Sequence, residues 1–477
     1  VAPPVAATPT AVPAKGAPPP AALGSAAAAS QEPASWFYRP PLTLSVGEGR
    51  QRWRVTFFGF IEADYISDST RSYNDSIGSA LVARSDTYDG KTGRTQFSMR
   101  NTRIGLAFES PAVGGAQPSA VFEGDFFGNQ PSTPPNITES SYFSSPTFRV
   151  RHAYFKLQDD FVDVLAGQTY NVFGWQNYFF SCSAEFLGLP NQVFSRNTQF
   201  RLSHAFNAGP LTIEVAAAAE RPAQRDSQVP DFDGGVRIAF NGWKGISTPG
   251  NVGTRAVPLS IGISGITRQF KVNAFTPPPA QASNTLTGQG FSLDALVPII
   301  PAADDNDRGW RATLTASYVK GTGIADLLTT GGGVTFPTLP NPAQANPPPT
   351  YSADVDNGLV TFDSMGVLHT IDWEAWRVGL QLYLLSSGRL ILAGNYTQSH
   401  SNNLQKLFPQ GGSEIALLGT MVDTSKYADV NLFFDATPAV RFGVSGQWTE
   451  VEYLGSTTTA RDKPHNVRGM GQAVYVF

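Results

Sequence analysis

The sequence predicts an all-β protein: a transmembrane antiparallel β-barrel of about sixteen strands behind a disordered Pro/Ala-rich N-terminal tail. Three observations carry that prediction. Short segments of alternating polarity recur from residue 54 to the last residue, and the connectors between them alternate short and long. No run of about 18 apolar residues, the length of a membrane-crossing helix, occurs anywhere. Side chains of a strand alternate between two faces, so each such segment separates two environments. Only alternate residues of a barrel face lipid, which keeps mean hydropathy near zero; here it is -0.15.

Residues 1–50 read as a tail or linker and residues 51–477 as one barrel domain. Within 1–35 nearly every residue is Ala, Pro, Gly, Ser, Thr or Val, a composition that cannot bury a core. Trp36, Phe37 and Tyr38 form an aromatic clump able to dock on the barrel or on a partner. Val1 in place of Met is what a chain relieved of a secretion leader would show.

The strand segments follow in order. Val55–Ile66 sets Glu62 and Asp64 opposite Ile61, Ala63 and Tyr65; Phe97–Ser110 sets Arg103 opposite Ile104, Leu106 and Phe108. Ser119–Gly128 sets Glu123 and Asp125 opposite Phe122 and Phe126, and Phe148–Gln158 sets Arg149 and Arg151 opposite Val150 and Tyr154. Further segments begin near Phe161, Asn197, Leu211, Phe232, Leu259, Gly290, Gly309, Ala375, Arg389, Lys426, Ala439 and His465. Bacterial barrels have such an even number of strands.

Short connectors fall at Ser110–Pro118, Gln158–Asp160, Asn207–Pro210, Ser386–Gly388 and Asp435–Pro438. Long ones fall at 67–96, 129–145, 172–196, 270–289, 321–374, 401–425 and 453–464. Outer-membrane barrels have short periplasmic turns and long external loops, so this alternation places the tail and Phe477 in the periplasm. The connector 242–257 breaks the rule, being long where a short turn is due. The last strand puts Tyr475 and Phe477 on one face and looks like a closing barrel strand, whose terminal aromatic the barrel-assembly machinery reads.

With the apolar member of each pair facing lipid, Arg103, Arg149, Arg151, Arg201, Arg237, Arg311, Arg377, Arg389, Arg441 and Arg468 point into the lumen. Glu62, Asp64, Glu123, Asp125 and Glu214 join them. For Glu62, Asp64, Arg103, Glu123 and Asp125 two roles stay open. Lateral ion pairs could tie neighbouring strands together, or a charged constriction could select ions. Arg201, Arg377 and Arg468 have no acid on the nearest inward positions, which favours selectivity. Arginine suits that task, since its planar fork grips a carboxylate and stays charged.

The loop 172–196 is rich in aromatics, and its charges are Glu185 and Arg196. So apolar a loop is expected to fold into the lumen as a constriction, bringing Trp175, Tyr178, Phe180 and Glu185 to the passage. Contact with a neighbouring subunit is the other reading. Nothing points to catalysis: no G-x-S-x-G or H-E-x-x-H occurs, and His152 and His204 fall on the lipid-facing parity. His369, His400 and His465 sit in loops or near rims, and Cys182 is the single cysteine. No enzyme, metal or cofactor is expected, and a net charge of -4 argues against a nucleic-acid partner.

Several stretches, taken in order, resemble the DcaP-like trimeric outer-membrane porins of Gram-negative bacteria. They are Phe57–Tyr65, Arg100–Leu106, Val121–Gly128, Arg149–Tyr154, Leu165–Tyr170, Val229–Phe232, Tyr318–Gly323 and the closing strand. The resemblance implies a sixteen-stranded barrel, a homotrimer in outer-membrane lipid, and passive uptake of small hydrophilic solutes, favouring organic anions such as dicarboxylates. A general or sugar-type porin, with the loop aromatics stacking on substrate, is the alternative, as is a structural barrel whose tail engages the periplasmic matrix. One departure stands out. The family has an N-terminal coiled-coil segment, which a Pro-rich tail without heptads cannot form.

Overall fold

The computed structural model describes residues 42–48, 51–78, 81–128, 145–186, 188–273, 283–304, 307–329, 355–356, 358–362, 367–407, 421–454 and 462–477. Its main sheet holds eighteen strand segments. One of these, Leu42–Val46, lies outside the ring, and two others form a single interrupted strand, which leaves a closed antiparallel barrel of sixteen. We number them β1 (Trp53–Asp68), β2 (Arg94–Ser98 with Arg103–Glu109), β3 (Gln117–Gly128), β4 (Thr147–Gln158), β5 (Asp163–Tyr170), β6 (Arg196–Ala208), β7 (Leu211–Glu220) and β8 (Asp231–Ser247). The rest are β9 (Arg255–Asn273), β10 (Ser283–Ile300), β11 (Arg311–Thr322), β12 (Asp372–Leu384), β13 (Leu390–Ser401), β14 (Val422–Thr437), β15 (Val440–Tyr453) and β16 (His465–Val476).

Each strand pairs with its sequence neighbour, and β16 closes on β1 in a register running from Phe60 opposite Val476 to Asp68 opposite Arg468. The outward face is apolar and exposed, as at Ile61, Tyr65, Phe148, Phe200, Val430 and Phe442, a surface suited to lipid. The inward face carries the buried polar groups, including Glu62, Asp64, Glu123, Asp125, Arg151 and Arg468. All sixteen segments expected from the sequence are present.

Two local irregularities shape the inner wall. A turn at Met99–Thr102 interrupts β2 and brings Asn101 and Thr102 against Glu62. In β4 the register slips opposite Glu123 and Gly124, leaving Arg151 as the extra residue of a β-bulge. A bulge reverses the parity that follows it. His152, expected to face lipid, is therefore buried inside, with Nδ1 3.0 Å from Thr169 Oγ1 and its ring 4.9 Å from that of Tyr170. Tyr154, opposite Val121, moves to the inner face with it.

The long-loop end is filled with apolar side chains. Ile77 of loop 69–93, Leu189 of loop 171–195, Leu327 and Leu359 of loop 323–371 and Leu404 pack with Phe270 and Trp373 of the wall. Both described ends of the loop 323–371 thus lie inside the barrel mouth; residues 330–354 lie outside the described residues. At the other end most of the anomalous connector is strand, because β8 runs to Ser247 through a bulge and β9 begins at Arg255. Only Thr248–Thr254 remains as a turn, and it points inward, with Thr248, Asn251 and Val252 buried.

The expected tail 1–50 needs a correction. Leu42–Val46 is a strand, paired with Trp53–Phe57 of β1. It takes up the stretch of β1 that lies beyond the end of β16. Residues 1–41, with the Trp36–Tyr38 clump, lie outside the described residues.

Candidate functional site: an arginine wall around Tyr170

Five arginines gather on the sector from β2 to β6, with Tyr170 among them. Arg151, on the β4 bulge, donates from Nε to Glu123 at 3.0 Å, from Nη1 to Asp125 at 2.8 Å and from Nη2 to the Tyr170 hydroxyl at 3.0 Å. Arg149, one inward position along, forks onto Asp125 at 2.9 and 2.6 Å. The guanidinium of Arg196 lies 5.7 Å from the Tyr170 ring centre and 5.2 Å from that of Phe194, and Arg201 donates to the Tyr170 carbonyl and to Gln199. Arg103 donates to Asn101 and to the Phe186 carbonyl, each at 3.3 Å, and covers the Phe60 ring.

Two carboxylates, Glu123 and Asp125, are ion-paired within this group. Among the described residues Arg103, Arg196 and Arg201 have no carboxylate at ion-pair distance, although Glu220 of β7 and Asp233 of β8 lie within electrostatic reach of Arg201 and Glu185 lines the same cavity as Arg103 and Arg151. The β-bulge adds His152 to this wall, since it lets Arg151 and His152 both face inward. A low-dielectric wall focuses the field of these charges into the lumen.

On the adjoining sector Glu62 and Asp429 are held by neutral donors. Glu62 accepts from Asn101 and Asn251 at 2.9 Å and from Gln472 at 3.0 Å. Asp64 is buried on the same face, opposite Gln472. Asp429 accepts from Ser183 at 2.6 Å, Asn395 at 2.7 Å and Tyr427 at 2.9 Å. The expected alternation of acid and base around the first four strands therefore resolves into pairs within β3–β4, while Glu62 is bound by amides instead of arginine.

Of the three arginines expected to have no acid on the nearest inward positions, Arg201 and Arg377 make no ion pair among the described residues, though Glu220 stands one inward position from Arg201, and Arg468 does pair. Arg468 forks onto Asp68, with Glu185 3.8 Å away, and is buried. Arg377 donates to Ser181 of the loop 171–195 at 2.5 Å and is also buried, so it anchors that loop. The loop does fold into the lumen. Trp175 and Tyr178 are spent on the wall: Trp175 donates to the Ile263 carbonyl at 3.1 Å, and Tyr178 donates to Glu214 at 2.7 Å beneath the Arg237 guanidinium. Phe180 and Glu185 border a cavity of about 40 Å³ that also touches Arg103, Arg151, Gly250 and Asn251. Such a space holds a few waters.

Sequence reasoning missed Arg196 and Tyr170 as parts of this wall, and missed the Thr248–Thr254 turn. The length of connector 242–257 was the available signal for the turn.

A closed sixteen-stranded antiparallel barrel with a charged, loop-narrowed interior defines the fold class: this is a porin-fold β-barrel. More particularly, it has the fold of DcaP, the outer membrane channel of Acinetobacter baumannii. The match has a TM-score of 0.58 at 17% identity and covers 89% of this chain and 97% of that one. Pseudomonas putida OprB follows with a TM-score of 0.48 at 13% identity, over 88% and 94% of the two chains. The anion-selective porin from Comamonas acidovorans has a TM-score of 0.47 at 10% identity, over 89% and 100%. No family model and no curated protein matches the sequence.

Proposed function

We propose that the protein is an outer-membrane porin through which small hydrophilic solutes diffuse passively, with a preference for organic anions such as dicarboxylates. One observation carries the preference: five guanidiniums gather around Tyr170 with two carboxylates ion-paired among them, and Arg103 and Arg151 border the cavity beside the inward loop. Arg103 and Arg201 are partly exposed and donate only to neutral oxygens, so each guanidinium could take a solute carboxylate. The fold shared with an outer-membrane channel supports the transport role and placement in the outer membrane; assembly as a homotrimer belongs to the same proposal. The proposal puts the short turns and Phe477 in the periplasm.

The sugar-porin reading loses ground here, because Trp175 and Tyr178 are bonded to the wall and cannot stack on a solute. The test is the reversal potential of reconstituted channels across a salt gradient, with succinate and neutral-sugar flux in liposomes. Wild-type channels should prefer anions. Replacing Arg103, Arg196 and Arg201 together by Gln should abolish most of that preference and slow succinate while sugar flux stays near wild type. Full succinate flux in the triple variant would make these arginines wall structure only.

A further inference from the structure

We infer that the Thr248–Thr254 turn is a second constriction element, entering from the short-turn end and confining solutes to the arginine wall. The inference rests on the porin reading above and deepens it. A connector between neighbouring strands needs only a few residues and ordinarily stays in water. This one runs into the lumen and is tied there at three places.

On the β12 side, the Thr248 amide donates to Gln381 at 2.9 Å, and Thr248 Oγ1 lies 2.9 Å from the Tyr383 hydroxyl. In the middle, Gly250 pairs with the loop that descends from the opposite end. Its amide donates to the Ser181 carbonyl at 2.8 Å, and its carbonyl accepts from the Ser183 amide at 3.1 Å. On the seam side, Asn251 Nδ2 lies 2.9 Å from both oxygens of Glu62, and Arg441 donates to the Asn251 carbonyl at 2.9 Å and to Thr254 at 3.0 Å. Val252 packs with Phe60 and Val474. The two lumen elements thus meet in mid-barrel, one from each mouth.

Their partners show which sector they fill. Cys182, Ala184 and Phe186 of the upper loop cluster with Tyr383, Ile391, Phe433 and Met470 of β12–β16, and Phe186 also meets Phe127 of β3, with ring centres 5.7 Å apart. The turn takes its bonds from β12, β15 and β1. The turn and Cys182–Ala184 fill the side of β12–β16, and the cavity touched by Gly250 and Asn251 on one side and by Arg103 and Arg151 on the other lies between them and the arginine wall. Gly250 and Gly253 adopt φ of +71° and +78°, and a Cβ on either would meet nothing within 4 Å, so the glycine edge of the turn borders open space. Glu62 is accordingly a positioning residue. It is fully buried, and Asn101, Asn251 and Gln472 occupy its oxygens.

The test uses full-length protein in planar bilayers, with folding checked by heat-modifiable migration. Asn251→Asp sets a carboxylate against Glu62 and should expel the turn. Deleting residues 249–253 removes the turn outright and serves if the point variant does not fold. Both should at least double single-channel conductance, admit larger neutral polyethylene glycols and lower the anion-to-cation permeability ratio. Asn251→Asp combined with Glu62→Gln exchanges donor and acceptor, and should return conductance toward wild type. A folded deletion variant with wild-type conductance and polymer cut-off would overturn the inference. Loss of anion preference in wild-type channels would overturn the anion reading alone, since conductance and polymer cut-off do not depend on it.

Discussion

Arg468 and Asp68 meet through two parallel hydrogen bonds, 2.8 and 2.9 Å long, across the seam where β16 joins β1. Arg468 also donates to the carbonyls of Asp75 and Asn74, so one side chain binds the seam to the first long loop. Replacing Arg468 by Gln leaves the Asp68 carboxylate buried without its counter-charge. Breaking a buried pair this way costs about 3–5 kcal/mol. The expected outcome is a lower melting temperature with anion selectivity near wild type in the channels that form. Unchanged melting with a clear loss of selectivity would return Arg468 to the passage.

Glu185 makes the constriction sensitive to pH. Burial pushes its carboxyl up to about 7, against the opposing pull of Arg468 and of the hydrogen bonds from Ser76 and Ile77. Its folded value lies above the ordinary 4.5, so the native state keeps a proton that the unfolded chain has lost. Its contribution to stability is therefore complete at low pH and is lost as pH rises through about 7. Acidification across that range also removes one negative charge from the lumen. Anion preference and melting temperature should both rise between about pH 8 and about pH 6. Glu185→Gln should flatten that part of both profiles, and an unaltered slope in the variant would assign the titration to another group.

Phe477 is built into the wall. Its amide donates to the Gly59 carbonyl at 3.0 Å, the Gly59 amide returns the bond at 3.1 Å, and its ring stacks on Phe57 at 5.0 Å. A charged side chain there would lose the stack and place a charge at the lipid boundary. Phe477→Asp should leave little heat-modifiable barrel in outer-membrane fractions. Wild-type amounts would show that the closing aromatic is dispensable.

The strands were legible because their signal is local: period-two polarity and connector lengths can be read within a few dozen residues. Pairing was harder, because it depends on register between distant segments. Asp68 lies on the same face as Glu62 and Asp64, yet the first segment read from polarity ends at Ile66. Only closure of the barrel brings Asp68 to Arg468. The bulge at Arg151 was invisible for a different reason. One extra residue leaves polarity nearly unchanged while reversing the direction of every side chain after it, and His152 was placed on the wrong face as a result. Arg377 could not be matched to Ser181, since no sequence rule says where an inward loop will come to rest.

Phe57 faces Leu42 across the short outer pairing, and it stacks on Phe477. The first and last described segments of the chain therefore converge on one residue of the wall. Leu42 stands beside the C-terminal residue at one point on the rim. A short linker from Phe477 to Leu42 could join the two ends, and the cyclic chain could then be reopened at a loop tip elsewhere.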